Sequence, residues 1–315
     1  DFHPWYYWRR GETMSETVNI DTNGIRKTVK SPAKEAKRVF VLGGSTTWGS
    51  GVDDANTVPS HLQAALGDQY DVYNFGESAY MSVQELNFLL KELAEGNIPD
   101  VVIFYDGFND GYSGLYSPGK PRSPTQIEQR FHHYNALRSY NIGQHLYAII
   151  QQSNWQRLVN YILFGHVNGL PKKTFDPLRE EATLKALDQN VVKVVDYWQA
   201  VHKQVTGLGA VYGFDVHFFW QPNPLNGQKE LTAEERAKIQ EEGVTSGFEK
   251  TMSALYGMAE KKLKGLQAEN IYFLGDIFQD HEETLYTDYV HLNGRGNKII
   301  ATRISELIQG VASGQ

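Results

Sequence analysis

A serine that follows two glycines at the end of an apolar run stands where it can act as a nucleophile. Ser45 closes the stretch Val39-Phe40-Val41-Leu42-Gly43-Gly44-Ser45. The apolar, β-branched run reads as a buried strand of a parallel sheet. The hydroxyl then lies at the carboxyl end of that strand, where open α/β sheets place their ligand sites. A helix starting there would aim free backbone N–H groups at the same spot. Serine is also a preferred helix N-cap, so its position alone does not separate the two roles. A neutral hydroxyl needs a base within hydrogen-bond reach, and the base needs an orienting partner. Asp288 and His291 offer that pair near the other end of the chain. Histidine titrates nearest neutral pH and can move a proton in both directions. A carboxylate three residues earlier lies on the same side of a turn, and can hold the tautomer that leaves the second ring nitrogen facing Ser45. Taken alone, Asp288 and His291 also fit a surface-loop pair.

The elements that must position these groups follow from periodicity. Strands are predicted at about 38–43, 70–75, 100–105, 211–220 and 270–274. Helices are predicted at about 56–66, 81–95, 125–165, 180–205 and 293–309, with a capping-box pattern, Thr232 and Glu235, opening another. The stretch from Gly107 to Pro124 is rich in Gly and Pro and reads as a long loop, which is often functional. Strands alternating with helices imply a parallel sheet covered on both faces, with right-handed crossovers. The chain divides into an extended polar arm over 1–37 and one α/β domain over 38–315. Residues 111–212 read as a helical insertion over the carboxyl edge of the sheet, roofing the site.

Two further segments end apolar runs, Tyr73-Asn74-Phe75-Gly76 and Tyr105-Asp106-Gly107-Phe108-Asn109-Asp110. With Ser45 and Asp288-Tyr289-Val290-His291 they stand in the order of the four blocks of the SGNH (GDSL) hydrolase family, which the chain resembles over about 38–110 and 270–310. One departure is that the family's Gly-Asp-Ser is Gly43-Gly44-Ser45 here. The resemblance implies a flavodoxin-like, three-layer fold with strand order 2-1-3-4-5. It implies a serine esterase with Ser45 as nucleophile, His291 as base and Asp288 orienting it. The implied oxyanion donors are the backbone N–H groups of Ser45 and Gly76 and the side-chain amide of Asn109. The physics of each is compatible: glycine lets a backbone approach closely, and an asparagine amide donates without titrating. Gly76 also fits a strand-end turn and Asn109 an Asx turn. Asn74 and Asp110 are expected as supports. Phe108, Trp220 and Gln221, with Tyr80, Tyr112 and Tyr116, are candidates to line a pocket; ordinary packing is the other reading for the aromatic residues.

The expected reaction removes a small acyl group, such as acetyl, from a carbohydrate or related ester through an acyl-enzyme, without a cofactor. The same residues would serve an O-acyltransferase of envelope polysaccharide, since only the attacking group differs. An idle binding module of an envelope assembly is the third reading. With no cysteine among 315 residues, disulfides and thiolate zinc sites are excluded. Asp280-His281-Glu282-Glu283 has metal-ligand types, but adjacent residues rarely converge on one ion, so no metal is expected; His132-His133 reads as helix surface. A formal net charge of −7 without a basic stripe argues against nucleic acid. No apolar run approaches the roughly 20 residues that cross a bilayer. The opening Phe2-His3-Pro4-Trp5-Tyr6-Tyr7-Trp8 is dense in the aromatic residues of membrane interfaces. Relatives with a Gly-Gly-Ser block often carry an N-terminal anchor and work outside the cytoplasm. An anchor upstream of Asp1, which is not a methionine, and a periplasmic location are therefore expected, against an aromatic arm packed on the domain.

Overall fold

The computed structural model describes residues 2–3, 7–29, 31–116 and 187–310. Strand β1, Lys37–Gly43, lies between β2, Tyr70–Asn74, and β3, Val101–Asp106; β4, Asp215–Trp220, and β5, Ile271–Phe273, extend the sheet beyond β3. All four pairings are parallel, in the order β2-β1-β3-β4-β5. The strand order expected from the four blocks is therefore the observed one.

Period-two alternation divides the strand side chains between two cores. Phe40, Leu42, Val102, Phe104, Phe218 and Trp220 face one layer, and Val39, Val41, Ile103, Tyr105 and Phe219 the other. Helices α1, Ser45–Trp48, and α2, Val58–Leu66, follow β1. Helix α3, Ser82–Ala94, follows β2. Helix α4, Phe108–Tyr116, follows β3, and α5, Leu187–Tyr212, leads into β4. Helices α6, Ala233–Glu241, and α7, Ser246–Leu263, precede β5, and α8, Gly294–Ile308, closes the chain. Leu89 of α3, Trp198 of α5 and Leu255 of α7 cover the first face; Leu62 of α2 and Ile300 of α8 cover the second. Burial on both faces is why these strands read as continuous apolar runs.

Three expectations change. The loop expected from Gly107 begins instead with helix α4. Its glycines are close-packing positions: a Cβ on Gly111 would meet Leu255 at 2.1 Å, and one on Gly114 would meet Val194 at 2.4 Å. The strand expected from residue 211 begins at Asp215, because α5 continues to Tyr212. Helix α5, assigned to the insertion, packs Trp198 on Phe218 and is the crossover onto β4. The expected helices over 125–165 fall in 117–186, outside the described residues. Before β1, a short antiparallel ribbon pairs Phe2–His3 with Tyr7–Trp8. Farther along, Arg26 bridges Asn74 on the outer edge of β2, so the arm pairs with an edge that would otherwise expose unpaired backbone.

Gly111→Ala tests the packing account. In an open helix this change stabilises by about 1 kcal/mol. Here the clash with Leu255 reverses the sign, and a loss of about 1–3 kcal/mol is expected by urea denaturation. Leu255→Ala should abolish the penalty of the added methyl in a double-mutant cycle. A stabilised Gly111→Ala single variant would show that α4 does not press on α7.

Candidate active site

The carboxyl edge of the sheet brings together residues 246 positions apart. Ser45 Oγ lies 2.8 Å from His291 Nε2, and His291 Nδ1 lies 2.6 Å from Asp288 Oδ2. The Asp288 carboxylate accepts, so Nδ1 carries the proton and Nε2 is left to accept from the serine hydroxyl. Asp288 Oδ1 takes the backbone N–H groups of Val290 and His291, each at 2.7 Å. Burial pushes the Asp288 carboxyl up, but the bonds and charge from His291 and the two N–H groups outweigh it and hold it below its ordinary value.

Each half of this relay is fixed by its own contacts. On the serine side, Thr47 Oγ1 donates to the Tyr105 carbonyl at 3.1 Å, pinning α1 to β3. Thr46 Oγ1 donates to Gln221 Oε1 at 3.2 Å, tying α1 to the end of β4. On the histidine side, residues 285–293 form a closed hairpin. Thr287 N donates to the His291 carbonyl at 2.9 Å and Asn293 N to the Leu285 carbonyl at 2.8 Å. The base of the hairpin rests on the buried Glu235 carboxylate, which accepts Leu285 N at 2.8 Å and Tyr286 N at 3.0 Å. Its other oxygen takes Thr232 N at 2.8 Å and Lys229 Nζ at 3.0 Å. The capping box read in the sequence is present, and it also carries this loop. Asn223 Nδ2 donates to the Tyr289 carbonyl at 3.0 Å and holds the tip.

Among the groups expected at an oxyanion, Asn109 lies beside the Ser45 turn. Its Nδ2 donates to the Tyr80 carbonyl at 2.8 Å, leaving one N–H of the amide. A Cβ on Gly44 would fall 2.4 Å from that nitrogen. The Asn109 amide therefore occupies the space an acidic residue before Ser45 would need. Ser45 is the first residue of α1, so its N–H has no intrahelical acceptor. Gly76 differs from expectation: its N–H donates to Asn74 Oδ1 at 3.1 Å. A Cβ there would meet Trp48 N at 2.3 Å, so this glycine gives the α1 backbone room to approach. Asn74 Nδ2 donates to the Trp48 carbonyl at 3.3 Å.

The remaining candidates separate. Trp220 is fully buried. It shares the inner face with Phe218, because the two lie two residues apart on β4, and packs on Trp198 and Tyr256. Phe108 is buried against Tyr112 and Tyr289, at ring separations of 6.4 and 6.0 Å, and backs the His291 loop. Tyr80 is fully buried, with its hydroxyl on the Trp8 carbonyl. The Tyr116 side chain lies outside the described residues. Asp110 accepts Ser82 N–H and Oγ–H, fastening α4 to the start of α3. In Asp280–Glu283, His281 pairs with Glu283 at 3.2 Å.

A β2-β1-β3-β4-β5 parallel sheet with serine after β1, asparagine after β3 and Asp-x-x-His after β5 sets the architecture. The fold is SGNH-type. No protein-family model matches the chain. An acetylxylan esterase of Xylanibacter ruminicola is 37% identical over 97 residues, 29% of this chain and 20% of that protein. The match thus spans about a fifth of the length of that curated relative. Among solved structures, Est24, a carbohydrate acetylesterase from Sinorhizobium meliloti, overlaps 87% of this chain and 99% of its own at 16% identity and a TM-score of 0.40. A member of the lipolytic G-D-S-L family from Veillonella parvula overlaps 88% of this chain and 100% of its own at 13% identity and a TM-score of 0.40.

Behind Asn109 this SGNH-type fold buries three acids that the sequence did not single out as a group. Glu85 of α3 and Asp106 at the end of β3 lie with Asp110. Trp198 Nε1 donates to Asp106 Oδ1. Burial, then the neighbouring Asp106 and Asp110, hold the Glu85 carboxyl well above its ordinary value. Burial, then Asp110, does the same for Asp106. Burial pushes Asp110 up to about 6. An acid whose pKa is raised by folding stays protonated in the fold while the unfolded chain ionises. Stability therefore falls as pH rises from the unfolded value, about 4.3 for Glu, toward the folded one. Glu85→Gln removes that loss, and urea midpoints at pH 5 and pH 8 should show the variant gaining on the parent as pH rises. A gap that does not change with pH would mean Glu85 is ionised in the fold.

Proposed function

We propose that this chain is a serine ester hydrolase that removes a small acyl group, acetyl, from a carbohydrate ester through an acyl-enzyme. The observation that carries the reading is the continuous relay Asp288–His291–Ser45, at 2.6 and 2.8 Å. Ser45 Oγ attacks the ester carbonyl carbon as its proton passes to His291 Nε2. The oxyanion forms against the Ser45 N–H and the remaining N–H of Asn109. His291 then gives its proton to the leaving alcohol oxygen. Water attacks the acyl-Ser45 carbonyl, His291 takes its proton, and the acid leaves as Ser45 regains its own. Asp288 stays ionised throughout and holds the imidazolium that forms at each step.

The acetyl-carbohydrate part of the reading is supported by the stretch shared with the acetylxylan esterase. No helix among the described residues is long and apolar enough to cross a membrane. An envelope carbohydrate as the alcohol half would go with a periplasmic enzyme anchored by a segment upstream of Asp1, as the resemblance to Gly-Gly-Ser relatives suggests.

Three variants separate the roles. A fluorophosphonate should add once, at Ser45, by intact mass and peptide mapping, and Ser45→Ala should lower p-nitrophenyl acetate turnover by roughly 10⁴–10⁶. Labelling elsewhere, or none, rejects the nucleophile. Asn109→Ala should lower kcat by roughly 10²–10³ with little change in KM, because its donor acts mainly in the transition state. Gly44→Ala, which displaces the same amide, should move kcat in the same direction. A KM effect with unchanged kcat would make Asn109 a ground-state contact. Release of acetate from acetylated xylan with water alone distinguishes hydrolysis from transfer, which would require an added sugar acceptor.

A further inference from the structure

We propose that Arg26, in the N-terminal arm, is a positioning residue for the nucleophile: its guanidinium caps the carbonyl end of the single helical turn that carries Ser45. The inference rests on the reading of Ser45 as nucleophile.

Helix α1 has four residues, Ser45–Trp48. A single turn is the costly nucleus of a helix and gains almost nothing from its own ladder, and its carbonyls have few donors within the helix. Arg26 supplies them. Nη1 donates to the Trp48 carbonyl at 2.9 Å and the Gly49 carbonyl at 2.7 Å, and Nη2 to the Val52 carbonyl at 2.7 Å. Nε pairs with Asp54 Oδ1 at 2.9 Å, and the arginine side chain is fully buried. The same guanidinium lies 4.4 Å from the Trp48 ring centroid, and that of Arg10, also in the arm, lies 3.8 Å from it. The arm is held at this place by its backbone: Arg26 bridges Asn74, whose amide reaches the Trp48 carbonyl and accepts from Gly76 N.

The cap is short-range to the chemistry. At a rise of 1.5 Å per residue, Trp48 lies roughly 5 Å along the helix from Ser45. A one-turn helix has no further turns to absorb a displaced end, so movement at Trp48 passes to Ser45 and to its 2.8 Å bond with His291. A misplacement of about 1 Å at such a site can cost about 10²-fold in rate. The shape of the group matters as well as its charge. A planar fork serves several carbonyls and one carboxylate at once, whereas an ammonium is a point charge. Ordinary core packing would not need a buried arginine, whose desolvation must be offset by Asp54 and the three carbonyls.

The test compares Arg26→Lys, Arg26→Met and Asp54→Asn in the whole chain, with folding checked by circular dichroism and thermal melting. Two readouts are used: steady-state hydrolysis of p-nitrophenyl acetate, and the ¹⁵N shifts of His291, which report its bond to Ser45 whether or not an ester is turned over. Arg26→Lys and folded Arg26→Met should lower kcat by about 10²-fold with KM little changed. Both should shift the His291 Nε2 resonance, and methylguanidinium should restore part of the rate of Arg26→Met. Asp54→Asn, which leaves the three carbonyl bonds in place, should lower the melting temperature while keeping kcat. Wild-type kcat and wild-type His291 shifts in Arg26→Lys would overturn the proposal, even if Arg26→Met does not fold. A parent chain that turns over no ester would overturn the hydrolase reading instead, and the His291 shifts would still decide whether Arg26 places Ser45.

Discussion

A single helical turn cannot hold itself in place, and Ser45 sits on one. Everything that makes its hydroxyl a defined object comes from outside the turn. Thr47 fastens it to β3, Thr46 to the end of β4 through Gln221, Asn74 to the end of β2, and Arg26 to the arm. Four segments far apart in sequence thus converge on four residues. Gly76 is part of the same constraint, because its missing Cβ is the space through which the α1 backbone comes close to β2. A turn gripped this way has little freedom of its own, and preorganisation of a reacting group is what shortens the path to the transition state.

The Asp288–His291 half poses the opposite problem. Asp288 and His291 lie on a hairpin tip, and hairpin tips are usually the mobile part of a fold. Here the hairpin is closed by its own backbone bonds. Its base is seated on a buried Glu235 carboxylate, which is in turn held by Lys229. Burial pushes that carboxyl up, but backbone N–H groups and Lys229 outweigh it, so it stays ionised and accepts from two adjacent N–H groups, Leu285 and Tyr286, on one strand of the loop base. The single bond between Ser45 and His291 is therefore the meeting point of two separately supported assemblies.

The Asn109 amide shows how local sequence and geometry trade places. Where the related pattern has an acidic residue before the serine, this chain has Gly44, and the Asn109 amide fills the vacated space. Asn109 stands at the start of α4, directly after the end of β3, and burial raises the carboxyls behind it, Glu85 and Asp106 well above their ordinary values and Asp110 to about 6.

Much of this was legible in the chain itself. Apolar runs of strand length alternating with helical stripes specify a parallel sheet covered on both faces, because only burial on both sides explains strands without polar alternation. The Ser45, Asn109 and Asp288–His291 blocks are local patterns, and each ends an element that places it at one edge of the sheet. Local patterns also misled. Gly111 and Gly114 read as loop residues, yet they lie in a helix pressed against Leu255 and Val194, and glycine has the same letter whether it is needed for its backbone or for its absent side chain. Trp220 read as a pocket wall, but strand alternation turns it inward beside Phe218. The grip of Arg26 on α1 and of Glu235 on the histidine loop, and the gathering of Glu85, Asp106 and Asp110, were not legible. These contacts join residues with no sequence relation, and hydrogen bonding to backbone carbonyls or N–H groups leaves no mark on the identity of the partner. The sequence by itself determined which side chains of the candidate site stand at the ends of elements, and so which edge of the sheet carries them. Only the tertiary structure decided which donors around Ser45 are already bonded and what holds its turn, because those depend on distances of a few ångströms between separate segments.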